Sequence, residues 1–332
     1  MAEPGRIGFE ALRLADPATV ADALAGELKR VVRGFRRRGG VLGLSGGIDS
    51  SVVAALAARA FGPHNVLGVL MPETDSSPDT LRLSRLAADA SGIPTALEDI
   101  TPVLEAVGCY RRRDDAIRTV LPDYGDGWKA KIVLPSVVDS DAFRLFSVVA
   151  VDPEGHEHRA RLTADAYLAV VAATNFKQRT RKMLEYHHAD RLNYAVLGTP
   201  NRLEYDQGFF VKNGDGAADV KPIAHLYKTQ VYQLAEALGV PEEIRTRPPT
   251  TDTYSMPQSQ EEFYFSLPYD RMDLCLYAVD RGLPPESVAD ELELAPEQVA
   301  RVFDDIAAKR RMASYLHAGP RLLEPMSAAV VG

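Results

Sequence analysis

An α/β fold built on a doubly wound parallel sheet is what the sequence predicts, on two observations. The first is the stretch Val41-Leu42-Gly43-Leu44-Ser45-Gly46-Gly47-Ile48-Asp49-Ser50-Ser51-Val52-Val53. Val41 to Leu44 is an apolar run suited to a strand buried on both faces, and from Ser50 onward Val52, Val53, Leu56 and Ala57 keep helical spacing. The second is the alternation that follows, in which Asn65 to Met71 and Thr95 to Ile100 read as strands separated by single helices. Strands joined this way form right-handed βαβ units, and such sheets bind ligands at the carboxyl ends of their strands.

Length and composition set the outer bounds. At 332 residues the chain is expected to be one domain spanning 1–332, and 46% apolar with 25% charged residues is ordinary for a globular protein. A net charge of −8 argues against a nucleic-acid surface. No apolar run approaches the ~20 residues of a membrane span, and the N-terminus lacks the apolar core of a signal peptide. Cys109 and Cys275 offer no disulfide framework and read as packing residues of a reducing compartment, so the expected location is cytoplasmic.

Taken in order, Asp16-Pro17 is an N-cap acid followed by proline at the first helical position, and Val20, Leu24, Leu28 and Val31 mark the apolar face. Arg36 to Arg38, before Gly39-Gly40, suit the negative end of that helix. The Ser45 loop comes next. Two adjacent glycines let successive N–H groups converge at the positive end of a helix, and the hydroxyls of Ser45, Ser50 and Ser51 add donors, so the loop reads as an anion nest. Asp49 would repel a phosphate unless a cation lay between them, and Mg²⁺ is the simplest such cation. No Gly-Lys-Ser/Thr closes the loop, so it is not a Walker P-loop.

Beyond it, Gly62-Pro63 stops a helix, Pro78 to Ser91 forms another closed by Gly92, and the loop Glu73 to Ser77 is expected to flank the nucleotide. Arg111 to Asp115 and Asp123 to Trp128 read as loop. An inserted β-hairpin is expected from Phe143 to Leu162, around the turn Asp152-Pro153-Glu154-Gly155, within an insertion of about 110–164. His156-Glu157-His158 lacks a third ligand and reads as a solvated hairpin tip rather than a metal site. Helix returns from Asp165 to about Ala189 and carries Asn175-Phe176-Lys177-Gln178-Arg179-Thr180-Arg181-Lys182-Met183. Tyr194 to Leu197 is a strand from whose carboxyl end Gly198-Thr199-Pro200-Asn201-Arg202-Leu203-Glu204 emerges, which places Glu204 to complete the metal site begun by Asp49. A glycine-punctuated loop from Gly208 to Asp219 contains Lys212 and Asp215. Lys228 then opens a helix that Gly239 stops, and Pro248-Pro249-Thr250-Thr251-Asp252 precedes a helical tail of about 255–317.

The Ser45 loop resembles the pyrophosphate-binding loop of the N-type ATP pyrophosphatases. With Asn175 to Met183, Gly198 to Glu204, Gly208 to Asp219, Lys228 and Pro249-Thr250 in that order, the chain from about Asp16 to Arg311 resembles ammonia-dependent NAD synthetase. The resemblance implies a five-stranded parallel sheet between helices and a homodimer with the dinucleotide at its interface. It assigns Ser45, Gly46, Gly47, Ile48, Asp49, Ser50 and Ser51 to the ATP phosphates, and Thr199, Lys228 and Thr250 to further ATP contacts. Asp49 and Glu204 would ligate Mg²⁺, the cofactor, with ATP as co-substrate. Arg179, Lys212 and Asp219 would contact deamido-NAD. The implied reaction is adenylation of the nicotinic carboxylate, followed by attack of ammonia. Lys228 stabilises the developing charge there, and Asp219 takes a proton from ammonium.

Two departures stand out. Ala308-Lys309 occupies the place of the family's His-Lys pair, and the segment from Gly92 to Asn175 is longer than usual by about a hairpin. Both leave room for a related ligase acting on another small carboxylate. A tRNA-modifying enzyme would want a basic face, which this acidic chain lacks. Only about forty residues precede the loop, too few for a glutamine amidohydrolase domain, so ammonia is the expected nitrogen donor, free or from a separate glutaminase subunit.

Overall fold

The two central strands of the main sheet are apolar runs that the fold buries along almost their whole length. The computed structural model describes residues 6–134, 145–248, 254–256, 258, 264–265 and 267–324. Helix α1 (Pro17–Gly34) is capped by Asp16, whose carboxylate accepts from the N–H groups of Ala18 and Thr19. It leads to β1 (Gly40–Gly43), α2 (Ile48–Phe61), β2 (Val66–Leu70), α3 (Pro78–Ser91) and β3 (Thr95–Leu97). Two short helices follow, α4 (Thr101–Ala106) and α5 (Cys109–Arg118). An inserted sheet of β4 (Lys129–Val133), β5 (Ser147–Val151) and β6 (Glu157–Arg161) precedes the long helix α6 (Ala164–Leu192) and β7 (Ala195–Val196). The remainder is helical: α7 (Arg202–Gln207), α8 (Lys228–Ala237), α9 (Glu242–Thr246), α10 (Tyr269–Asp280), α11 (Glu286–Leu292) and α12 (Pro296–His317).

The main sheet is parallel, in the order β3-β2-β1-β7. Its register sets Gly40 of β1 beside both Val66 and Ala195. The chain therefore steps outward from β1 and later returns to β1's other side, which makes the carboxyl ends of β1 and β7 the topological switch point. Five strands were expected and four are present among the described residues. The fifth place holds only a parallel bridge from Leu197 to Val220. Pro222, two residues on, has no N–H to extend such a ladder.

Leu42, Val52, Val53 and Leu56 pack with Val231 and Leu234 of α8 in one core, and Phe265, Met272, Leu276, Val302 and Ile306 make a second in the helical tail. No helix among the described residues is long and apolar enough to cross a membrane.

The insertion differs from its expected form in two places. The hairpin is present as β5 and β6, but β4 adds a third antiparallel strand that begins at Lys129, directly after the stretch read as loop. Its two lysines mask the alternation, in which Ala130 and Ile132 face the core. Arg111 to Asp115, also read as loop, lies inside α5, because Cys109, Arg113, Ala116 and Ile117 share one buried face. Arg113 is buried by pairing with Asp75 rather than by being apolar, so its place in the helical pattern is invisible to hydropathy. Residues 143–144, at the expected start of the hairpin, lie outside the described residues.

Candidate active site

The turn from β1 into α2 needs glycine at Gly46, where φ is +73° and a Cβ would come within 2.7 Å of the Leu83 side chain. The serines brace the loop. Ser50 and Ser51 donate to the Gly47 carbonyl at 3.0 and 2.8 Å, and Ser45 Oγ accepts from Gly47 N–H at 3.3 Å. Ile48 is buried in the core, so α2 starts at a fixed point with its first N–H groups without intrahelical acceptors.

Asp49, in the first turn of α2, meets residues from two distant segments. The Lys228 ammonium at the start of α8 donates to one of its oxygens, and Asn201 Nδ2 donates to the other at 3.2 Å. Asn201 is in turn the N-cap of α7. Its side chain accepts from Glu204 N–H at 3.1 Å while Glu204 Oε2 accepts from Asn201 N–H at 3.2 Å. One asparagine thereby links the two acids predicted to share a cation. Burial pushes the pKa of the fully buried Lys228 down, but Asp49 and then Glu204 more than offset this, so it is held above its ordinary value.

Asp49, Glu204 and Lys228 line a cavity of about 420 Å³, within the ordinary range for small-molecule sites. Ser45, Gly46, Gly47, Ile48, Asp49 and Ser50 form one wall, with Met71, Pro72 and Thr80 beside them. Thr199, Glu204 and Lys228 form another. Ser51 lies beneath the loop rather than in the lining, and Thr250 lies outside the described residues. Helix α6 supplies a third wall through Asn175, Gln178, Arg181, Lys182 and Glu185. Lys182 pairs with Glu185 at 2.6 Å, and Glu185 sits so close over Gly43 that a Cβ there would meet it at 2.9 Å. Burial raises the pKa of Glu185 despite Lys182, and burial likewise raises that of Asp215, which also lines the cavity.

The three residues assigned to the dinucleotide are not in this lining. Arg179 donates to the Lys212 carbonyl at 3.3 Å, and Lys212 donates to the carbonyls of Tyr315 and Ala318 at 2.7 and 2.8 Å. Asp219 accepts from Val196 N–H at 2.8 Å and from the Tyr186 hydroxyl at 3.3 Å. Arg179 and Lys212 meet beside the end of α12, whereas Asp219 lies where β7 meets α6. Residues Glu73 to Ser77, expected beside the nucleotide, are also outside the lining, since Glu73 and Asp75 are occupied below it. Lys177 reaches them at 2.9 and 2.6 Å, Arg113 pairs with Asp75, and Tyr110 donates to Glu73 at 2.7 Å.

Asn201, Glu185 and this buried network went unassigned from sequence. The first was legible as an Asn-x-x-Glu capping box and Glu185 as one of the charges recurring every three to four residues along α6. The Glu73 and Asp75 partners of Lys177, and Arg113 beside Asp75, come from other elements. His156 and His158 both pair with Asp152, and His158 first among its partners holds that carboxyl at about 2. No group of three metal-ligating side chains occurs among the described residues. Cys109 and Cys275 are free and buried.

A family profile described as NAD synthase matches residues 20–119 and 147–313. An NH3-dependent NAD+ synthetase of Rhizobium meliloti strain 1021 is 60% identical over 311 residues, 94% of this chain and 93% of that one. The enzyme of the same description from Thermotoga maritima is 33% identical over 85% of this chain and 94% of its own. Among solved structures, NMN synthetase from Francisella tularensis superposes with a TM-score of 0.64 at 21% identity, covering 92% of this chain and 98% of that one. The NH3-dependent NAD synthetase of Campylobacter jejuni does so with a TM-score of 0.60 at 22% identity, covering 93% and 100%. Those two likenesses show the fold. On the family match and on relatives that share 60% or more of its residues across almost its whole length, the chain belongs to the NAD synthase family.

Proposed function

We propose that this chain is an ATP-dependent ligase that converts deamido-NAD to NAD⁺ with ammonia, releasing AMP and pyrophosphate. The observation that carries the reading is the junction of Asp49, Asn201, Glu204 and Lys228 above the Gly46-Gly47 turn at the sheet's switch point. Relatives described as NH3-dependent NAD+ synthetases support it.

A carboxylate is a poor electrophile, so its oxygen first bonds to the α-phosphorus of ATP and the bond to the β-phosphate oxygen breaks. The N–H groups opening α2 and the Lys228 ammonium face the charge that builds on the departing pyrophosphate. The donor set fits Mg²⁺, which ordinarily takes one or two carboxylates together with substrate phosphates rather than a full protein cage. Asp49 and Glu204 would hold it, and bound there it supplies positive charge to the phosphate oxygens. In the second half, ammonia adds to the acyl carbon and the bond to AMP breaks. Ammonium must first lose a proton, and a carboxylate whose pKa is raised accepts one more readily than an ordinary one. Glu185 and Asp215 are the cavity-lining acids with that property. Glu185 is paired with Lys182, so Asp215, one of whose oxygens accepts from Val211 N–H, takes this role in place of Asp219, whose oxygens are engaged by Val196 and Tyr186.

Arg179, Lys212 and Asp219, all outside the cavity lining, suit a dinucleotide that lies between two copies of the chain. Leu168 and Met183, 62% and 56% exposed on α6, give such a homodimer apolar surface to cover. Two buried free thiols accord with a reducing compartment, and we place the enzyme in the cytoplasm.

The reading is tested with Asp49→Asn and Glu204→Gln, which remove charge at nearly constant volume. Both should keep the wild-type fold by circular dichroism and lose pyrophosphate release by two orders of magnitude or more at limiting Mg²⁺. Near-wild-type release by either variant would overturn the assignment of that residue to the metal.

A further inference from the structure

The cavity continues past the phosphate loop. Along α6 its wall is built from Tyr167, Val171, Thr174, Gln178, Arg181 and Glu185, residues three to four apart on one helix face. At a rise of about 1.5 Å per residue this wall runs for roughly 27 Å. One end, at Arg181 and Glu185, is charged and lies against β1. The other end is aromatic. Tyr167 stacks on Phe146 with ring centroids 4.2 Å apart and planes inclined by 13°, and Tyr254 lines the same end.

Two of these three rings are delivered by the inserted sheet. Phe146 is the residue that leads into β5. Tyr254 is held by β4, whose Ala130 N–H donates to Ser255 Oγ at 2.9 Å and whose Ala130 carbonyl accepts from Met256 N–H at 3.3 Å. Gln258 Nε2 donates to the Ile132 carbonyl one step further along the strand. The NAD synthase profile passes over residues 120–146, which contain all of β4 and Phe146. The phosphate end of the cavity lies within the matched residues, and so do Tyr167 and Tyr254, whereas Phe146 and the strand β4 that holds Tyr254 lie in the stretch the profile passes over.

We propose that the β4–β6 sheet is a specificity module whose Phe146, stacked on Tyr167, forms a subsite for a flat heteroaromatic ring of a nucleotide substrate. Planar π faces bind such rings by stacking with little dependence on ring identity, and a long cavity with a charged end and an aromatic end suits a ligand carrying phosphate at one end and a base at the other. The inference rests on the proposed reaction in one respect, that both substrates carry such rings: the adenine of ATP, and the adenine and pyridine carboxylate of deamido-NAD.

The test uses the full chain with Phe146→Leu and Tyr167→Leu, which keep apolar bulk and remove the flat faces, and Tyr167→Phe, which keeps the ring. Equilibrium binding of Mg²⁺-ATP and of deamido-NAD is measured separately by calorimetry, beside KM and kcat for each. Loss of a stacked ring should weaken one of the two ligands roughly tenfold to a hundredfold, leave the other within about twofold, and be rescued in Tyr167→Phe. The ligand that weakens identifies the ring. Folded Leu variants with unchanged affinity for both ligands would overturn the proposal, as would equal weakening in Tyr167→Phe. Because binding is read without turnover, a wild-type chain that binds both ligands yet makes no NAD⁺ would sink the proposed reaction while leaving this result to be scored on its own.

Discussion

Asn201 is a small residue on which two carboxylates depend. It caps α7 and donates to Asp49, so Asn201→Ala should cost about 1 kcal/mol of stability through the lost cap. It should lower kcat further than that, because Glu204 and Asp49 lose their common tie. Urea titration and steady-state kinetics on one preparation separate the two effects. Asp273 of α10 is a different case. It accepts from Thr229 N–H at 2.7 Å, next to Lys228, and burial pushes its pKa up to about 7 from an ordinary 3.8. A carboxyl raised on folding favours the folded state at low pH, and its contribution is lost as pH rises through the interval from about 4 to about 7. The stability of wild type relative to Asp273→Asn should therefore fall across that interval, as read by denaturant midpoints at successive pH values. At this scale the sequence was legible wherever chemistry is spelled locally. Asp49 stands out because an acid in a phosphate loop demands a reason, whereas Asp273 is anonymous until the fold sets it against α8.

Elements held by polar burial are the ones that hydropathy does not find. Helix α5 is anchored by Arg113 and β4 alternates lysine with its core residues, so neither shows an apolar period. The same polar burial joins α6 to the β2–α3 loop through Lys177, which is fully buried between Glu73 and Asp75. Lys177→Met would remove the cation that both carboxylates share, leaving Asp75 to Arg113 and Glu73 to the Tyr110 hydroxyl and the Asp75 N–H. It should destabilise the chain by about 3–5 kcal/mol, measured by chemical denaturation. β1, β2 and α2 were readable because their apolar runs are nearly uninterrupted, and α3 and α8 because their apolar residues keep helical spacing up to Gly92 and Gly239. The fifth strand was expected from resemblance alone, and Pro222 explains why only a bridge stands there.

At the scale of the whole molecule, Arg179, Lys212 and Asp219 lie outside the cavity, and a second copy of the chain would complete the proposed dinucleotide site around them. Sedimentation at micromolar concentration should give a dimer, and substituting the exposed Met183 with Glu should shift it toward monomer and reduce activity together. A fully active monomer would remove the basis for placing the dinucleotide between subunits. Long-range closure is the part that sequence could not supply: Asp49 and Lys228 are 179 positions apart, and only the return of β7 to the side of β1 brings them together. On the proposed reading, what that closure assembles is a site for cleaving ATP between its α- and β-phosphates in order to activate a carboxylate. The most direct test is to quantify AMP, pyrophosphate and NAD⁺ together in one reaction containing ATP, Mg²⁺, deamido-NAD and ammonium. The account predicts equal amounts of all three, with no NAD⁺ when ammonium is omitted. Formation of ADP and phosphate, or AMP and pyrophosphate released at the same rate without deamido-NAD, would contradict it.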